Sequence, residues 1–186
     1  MLSAILKKEA CAKCRFCCAF RRKSLWETPI FTKENYEAIA ADPTLSADML
    51  LPVKESDDSS EHAETGNYYR YDLSGSYITE NPEEEAPCPY LGEKGCILSD
   101  EEKPWDCKIW PLRVMKKEED LVIALTPTCP EINALAFSEV EKFVNTGLRE
   151  NLFAYAKAHP YLIKEYREGF PIPAWERKHG ETIKGE

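Results

Sequence analysis

The stretch CAKCRFCC, residues 11–18, places Cys11, Cys14, Cys17 and Cys18 within a span of eight residues. Cys11-x2-Cys14-x2-Cys17 sets three soft donors on a short turn, the spacing with which bacterial ferredoxins wrap three corners of an iron–sulfur cube. A tetrahedral zinc site usually draws one C-x2-C from each of two separate places. The remaining cysteines, Cys88, Cys96, Cys107 and Cys129, contain no second C-x2-C. The spacing therefore favours an iron–sulfur cluster, 4Fe-4S in form, with zinc as the alternative. Cys17 and Cys18 are neighbours in the chain, and neighbours project about 100° apart on a helix or to opposite faces of a strand. That predicts a separate role for one of them: ligand to a second centre, free thiolate for redox work, or core thiol.

Further along, Cys88-Pro89 and Cys129-Pro130 pair cysteine with a proline that stiffens the turn and removes a competing donor. Gly92 and Gly95 flank a tight loop into Cys96, and Pro104 and Pro111 bracket Cys107. Segment 87–111 thus reads as rigid irregular backbone wrapped around something. All eight cysteines are candidate metal ligands. They would suffice for two four-cysteine centres, and one such centre with accessory thiols fits equally well. The plainest role is a structural staple, since a zinc site of this kind can supply ~10–16 kcal/mol, as much as a domain's whole stability of ~5–15 kcal/mol.

With 186 residues, 43% hydrophobic and 31% charged, the chain has the size and composition of one soluble domain, or one domain with a helical extension. In a reducing cytoplasm, the setting expected here, clustered cysteines read as metal binding or redox chemistry before disulfides. No run approaches a membrane span, and Lys7 and Lys8 follow Leu2, Ile5 and Leu6 too closely for a secretory signal. The net charge of −9 argues against nucleic acid and acidic membranes as partners. It hides an asymmetry, because residues 1–23 carry Lys7, Lys8, Lys13, Arg15, Arg21, Arg22 and Lys23 against Glu9 alone, a net of +6, which leaves −15 for the rest. This basic segment either offsets thiolate charge at a metal centre or docks an acidic protein or anionic small molecule.

The expected architecture is α+β: a small, irregular cysteine-cluster metal-binding domain over 1–130 with short β-hairpins, and C-terminal helices over 131–186 packed on it. Thr32 is an N-cap for a helix through about Ala41, ended by Asp42-Pro43. A second short helix is expected over about 44–51. Residues 54–66 are polar and without period, a surface loop. The tyrosine-rich stretch 67–79 around Ser74-Gly75 predicts a hairpin, and Leu112–Met115 with Leu121–Leu125 predicts another. Beyond Pro130, Val140, Phe143, Val144, Leu148, Leu152 and Tyr155 recur at helical spacing as far as His159-Pro160, and Pro171 and Pro173 then call for an extended surface tail.

The full cysteine pattern resembles a family described as zinc- or iron-chelating proteins with a CxxCxxCC signature, the YkgJ-type cysteine-cluster proteins. The resemblance rests on CAKCRFCC at 11–18, CPYLGEKGCILSDEEKPWDCKIWPL at 88–112 and the late Cys129. It covers about 11–130 and gives every cysteine a place. Lys103 and Lys108 depart from it, because arginine is usual at both positions and lysine lacks the planar two-pronged contact. The resemblance implies a metal or iron–sulfur centre and little more. Flagellin lysine N-methylases look similar in this signature, which raises a methyltransferase-like enzyme using S-adenosylmethionine as a further alternative.

No GxGxxG, P-loop, HExxH or GxSxG occurs. His62, His159 and His179 fall in a loop, at a helix end and in the tail, and are expected at solvated surface positions. The function expected is a cysteine-ligated iron–sulfur protein for electron transfer or substrate activation, with a zinc-stapled interaction module as the alternative. Whether it turns over a substrate is left open by the residues.

Overall fold

The computed structural model describes residues 6, 8–21, 28–53, 67–71 and 85–176. The loop expected over 54–66, the turn and second strand of the tyrosine-rich hairpin, His62, His179 and the basic residues Arg22 and Lys23 lie outside them. The fold is α+β, in two compact units, Met1–Ile109 and Trp110–Glu186. Among the described residues, no helix is long and apolar enough to cross a membrane.

The first unit begins with helix α1, Lys8–Cys14, followed by a 3-10 turn, Phe16–Cys18, and strand β1, Ala19–Arg21. Strand β2, Phe31–Thr32, leads into helix α2, Lys33–Ala41. The expected cap is present. Thr32 Oγ1 accepts from the Asn35 N–H at 3.4 Å, and Asn35 Oδ1 accepts from the Thr32 N–H at 3.1 Å. A cap of this kind contributes about 1 kcal/mol. Asn35 Nδ2 also donates to the Glu101 and Lys103 carbonyls at 2.7 and 3.3 Å, so the cap residue anchors the segment that precedes Cys107.

No helix forms over 44–51. Asp42 Oδ1 accepts from the Thr44 N–H and hydroxyl, both at 2.7 Å, and Ser46 Oγ accepts from the Asp48 N–H at 3.2 Å. These local bonds offer the backbone an alternative to a helical ladder, and the chain turns into strand β3, Leu50–Pro52. Strand β4, Tyr68–Tyr71, lies between β2 and β3, pairing Phe31 with Tyr69 and Leu50 with Tyr71. Its described partners are therefore distant segments. Its near-continuous burial is that of a central strand covered on both faces.

Strand β5, Glu85–Pro87, pairs with β1. A tight hairpin of β6, Leu91–Gly92, and β7, Gly95–Cys96, bears out the glycine reading, and helix α3, Trp105–Ile109, carries Cys107. Phe31, Ile39, Leu50, Tyr71, Tyr90 and Leu98 form the core. Phe31 meets Tyr71 and Tyr90 edge-on at centroid separations of 5.4 and 6.2 Å, a geometry that adds about 0.5–1.5 kcal/mol per pair beyond burial.

In the second unit, strands β8, Leu112–Lys117, and β9, Asp120–Leu125, make the second expected hairpin, in register from Leu112↔Leu125 to Lys117↔Asp120. Helices α4, Pro130–Asn133, and α5, Phe137–Phe143, a π-helical stretch over Val144–Leu148, and α6, Arg149–Ala158, realise the helical period with breaks. Val140, Val144, Leu148 and Leu152 are buried along the seam, as their spacing requires. Strand β10, Lys164–Glu165, runs parallel to β8, and β11, Ala174–Glu176, antiparallel to β9. Over 170–176, the described part of the expected tail, the chain is thus not merely superficial, because β11 adds an edge strand and buries Ala174.

Gly147 lies in the π-helical stretch with nothing within 4 Å of where a Cβ would stand. Gly147→Ala is therefore expected to raise stability by about 0.5–1 kcal/mol in urea denaturation, through the lower backbone entropy of the unfolded chain. A decrease would show that this stretch needs glycine for another reason.

Candidate cysteine site

Three local features bring distant cysteines together in the first unit. The β1–β5 ladder pairs Ala19 with Pro87 and Phe20 with Ala86, and continues as the Cys88 N–H donating to the Cys18 carbonyl at 2.7 Å. Cys18 and Cys88 thus stand opposite each other. Hydrogen-bonded and non-bonded pairs alternate along such a ladder, so Pro87, which has no N–H, sits where none is needed.

The second feature is the approach of α1 to the β6–β7 hairpin. Gly95 has φ +101°, and a Cβ there would stand 3.4 Å from the Ala12 Cβ. Arg15, itself left-handed at φ 55°, donates through Nε to the Ala12 carbonyl at 3.0 Å and through Nη2 to the Glu93 carbonyl. At least this member of the basic segment is engaged in tying α1 to the hairpin turn. Register Leu91↔Cys96 then brings Cys96 beside the segment that follows Cys88.

The third is a turn ahead of α3. The Ser99 N–H donates to Glu102 Oε2 at 2.6 Å, the Glu102 N–H is 3.4 Å from Ser99 Oγ, and the Lys103 N–H donates to the Ser99 carbonyl at 3.0 Å. This reciprocal Ser-x-x-Glu arrangement carries a capping-box signature in the sequence itself, SDEE at 99–102.

The outcome is a set of thiols linked pairwise by electrostatic influence, Cys17 to Cys18, Cys107 and Cys11, Cys88 to Cys18 and Cys96, and Cys107 to Cys88, Cys18 and Cys96, drawn from five places in the chain. Cys14 is exposed on the last turn of α1, and Cys129 is half-buried just ahead of α4 in the other unit. Cys17 and Cys18, neighbours in the chain, are hydrogen-bonded to each other through their side chains. The cause is local: Cys18 closes the 3-10 turn and Ala19 is already extended, so the regular helix or strand angle between neighbours does not apply.

These thiols differ in acidity. The hydrogen bond from Cys17 lowers the pKa of Cys18 to about 7 against the opposing effect of burial, and Lys103 and Arg15 lower it further. Cys17 is the donor of the pair and is pushed far up, by that bond first, then by burial and by the neighbouring Cys18, Cys107 and Cys11. We assign the negative charge to Cys18 because the two cations face it, while Cys17 faces other thiols. Burial pushes Cys88 up to about 11 against hydrogen bonds from Tyr71 and the Tyr90 N–H, with Cys18 and Cys96 raising it further. The Tyr71 hydroxyl lies 3.0 Å from Cys88 Sγ. Burial raises Cys107 too, followed by Cys88, Asp106, Cys18 and Cys96. Cys107 keeps an exposed surface, which makes the crowding of negative charge the firmer of these causes.

The donor chemistry suits a thiophilic metal. Asp106, 5% exposed beside Cys107, has an Oδ2 without a hydrogen-bond partner among the described residues, which suits a nearby cation. Yet no group of three or more Cys, His, Asp or Glu side chains among the described residues is arranged to hold a metal ion. Of the histidines, His159 ends α6, half-buried and packed on Tyr155 at 4.3 Å.

No family model matches the chain, and neither the curated proteins nor the solved structures provide a match.

Two outcomes test the site. Gly95→Ala forces a side chain into the left-handed region, at a cost of roughly 1–3 kcal/mol. It should lower the denaturation midpoint and release α1 from the hairpin, read as faster amide exchange over 8–14; unchanged exchange would break the link between Gly95 and the cysteine turn. The acidities predict that iodoacetamide labels Cys18 of metal-free protein half-maximally near pH 7, since below that pH the sulfur is protonated and unreactive, whereas Cys88 labels only as the pH nears 11. Peptide mass spectrometry across that range checks the order; equal profiles would remove the assigned asymmetry.

Proposed function

We propose that this chain is a metal-binding protein carrying a cysteine-ligated iron–sulfur cluster for electron transfer or substrate activation, in a reducing, cytoplasmic setting. One observation carries the reading: six of the eight cysteines, from segments as far apart as 11 and 107, interact with one another in one unit. Dispersed structural thiols would not need to meet. The C-x2-C-x2-C spacing and the resemblance to the CxxCxxCC proteins support iron–sulfur in particular. Cys11, Cys17, Cys18, Cys88, Cys96 and Cys107 are the first candidates to hold such a group, with Cys14 and Cys129 the remaining ones. Bound there, a cluster would supply one-electron chemistry or an open iron site. The chain's own part would be to surround the thiols with the Phe31–Tyr71–Tyr90 wall, to donate from Tyr71 to Cys88, and to offset negative charge with Arg15 and Lys103.

A second reading, a zinc-stapled interaction module docking an acidic partner on its basic segment, is favoured by a different observation. Cys88 and Cys96 pack directly against the aromatic core, where a metal would join α1, the hairpin and α3 to it. Iron, zinc and acid-labile sulfide measured on anaerobically purified protein separate the two. Matched iron and sulfide with visible absorption is expected, and Cys107→Ser should lose most of both. Zinc without sulfide would establish the staple, and no metal at all would overturn both readings.

A further inference from the structure

We infer that Tyr71 is a positioning residue for the metal centre: its hydroxyl donates a hydrogen bond to the ligated Cys88 sulfur and thereby raises the centre's reduction potential. The inference rests on the iron–sulfur reading above and adds to it the residue that tunes the centre.

Tyr71 Oη lies 3.0 Å from Cys88 Sγ. Both partners are held by backbone from separate parts of the first unit. Tyr71 closes β4, opposite Leu50 of β3, and its ring meets Phe31 edge-on at a centroid separation of 5.4 Å and Tyr90 at 6.2 Å. Cys88 is held through its N–H on the Cys18 carbonyl at 2.7 Å and through its carbonyl on the Leu91 N–H at 3.0 Å. Tyr71 is 2% exposed, so water does not compete for its hydroxyl. The other core tyrosine is committed elsewhere, since the Tyr90 hydroxyl donates to the Ser46 carbonyl at 2.7 Å.

While the thiol keeps its proton, either atom of the Tyr71–Cys88 pair can donate. A sulfur bound to metal is a thiolate and has no proton, so in the loaded chain the hydroxyl is the donor. Hydrogen bonds to the sulfurs are among the protein's controls on the potential of an iron–sulfur centre. Charge gives the direction. An added electron makes the ligating sulfur more negative and a better acceptor, so the bond from Tyr71 is stronger in the reduced state than in the oxidised one. Favouring the reduced state raises the potential. One electron passes from a one-electron donor, dithionite in the test, to the iron; no bond breaks, and the hydrogen stays on Tyr71 Oη.

The experiment purifies full-length wild-type protein and Tyr71→Phe without oxygen, counts iron and acid-labile sulfide in each, and titrates both with dithionite under electron paramagnetic resonance. Tyr71→Phe keeps the ring and removes only the hydroxyl. It is expected to hold iron and sulfide at wild-type levels and to show a lower midpoint. The shift expected is about tenfold in the ratio of oxidised to reduced protein at a fixed potential, the order of one hydrogen bond to a charged group, or about 59 mV for one electron. Tyr90→Phe, which loses the hydroxyl bound to Ser46, should move the midpoint less. Should Tyr71→Phe fail to fold or load, a ring-fluorinated tyrosine at position 71 takes its place; fluorine makes the hydroxyl a stronger donor, and the midpoint is expected to rise. A midpoint unmoved by either change at position 71, or moved as far by Tyr90→Phe, overturns the inference and leaves the cluster standing. Wild-type protein without matched iron and sulfide overturns the cluster reading, and the inference with it.

Discussion

A single backbone hydrogen bond, from the Cys88 N–H to the Cys18 carbonyl, extends the β1–β5 ladder into the cysteine cluster, and the rest of the site is arranged around it. On one side, the Cys18 N–H donates to the Arg15 carbonyl to close the 3-10 turn, the Arg15 N–H donates to the Cys11 carbonyl of α1, and α1 is held against the β6–β7 hairpin by the Arg15 side chain and by the close approach at Gly95. On the other, Cys88 continues into the turn that starts the hairpin, with the Leu91 N–H donating to its carbonyl. A cluster that is local in sequence thereby gains partners from segments some seventy or more residues on. Loop closure over that length costs only about (3/2)RT ln n, a few kcal/mol, which an aromatic core of this kind can offset.

That core also determines how the thiols differ. Cys88 and Cys96 lie on its edge and feel burial, while Cys18 lies where a donor thiol and two cations stabilise its charge. A set of sulfurs with unequal acidities follows from placement alone, without any unusual residue.

In the second unit the central hairpin is local, whereas its flanking strands join across about fifty residues, Lys164 opposite Met115 and Ala174 opposite Ile123. Arg113, 2% exposed, lies 5.0 Å from the Trp110 ring within it. Cys129 stands there ahead of α4.

What could be read from the sequence follows from what each signal depends on. The Thr32 cap, the 112–125 hairpin, the glycine loop before Cys96 and the helical period from Val140 are encoded in residues within a few positions of one another, so pattern suffices. The expected helix over 44–51 failed because Asp42 and Ser46 bind their own backbone, a local competition that the apolar pattern outweighed in the reading. The partners of Tyr68–Tyr71 and the contact between Cys17 and Cys18 were not legible, since one depends on which distant strand supplies hydrogen bonds and the other on where a 3-10 turn gives way to a strand. By itself, then, the sequence determined an α+β chain rich in soft donors, because cysteine count and short-range periodicity are properties of composition and spacing. Only the tertiary structure decided which of those donors meet and which sulfur carries the charge, because register, burial and the positions of Arg15 and Lys103 exist only once separate segments pack together.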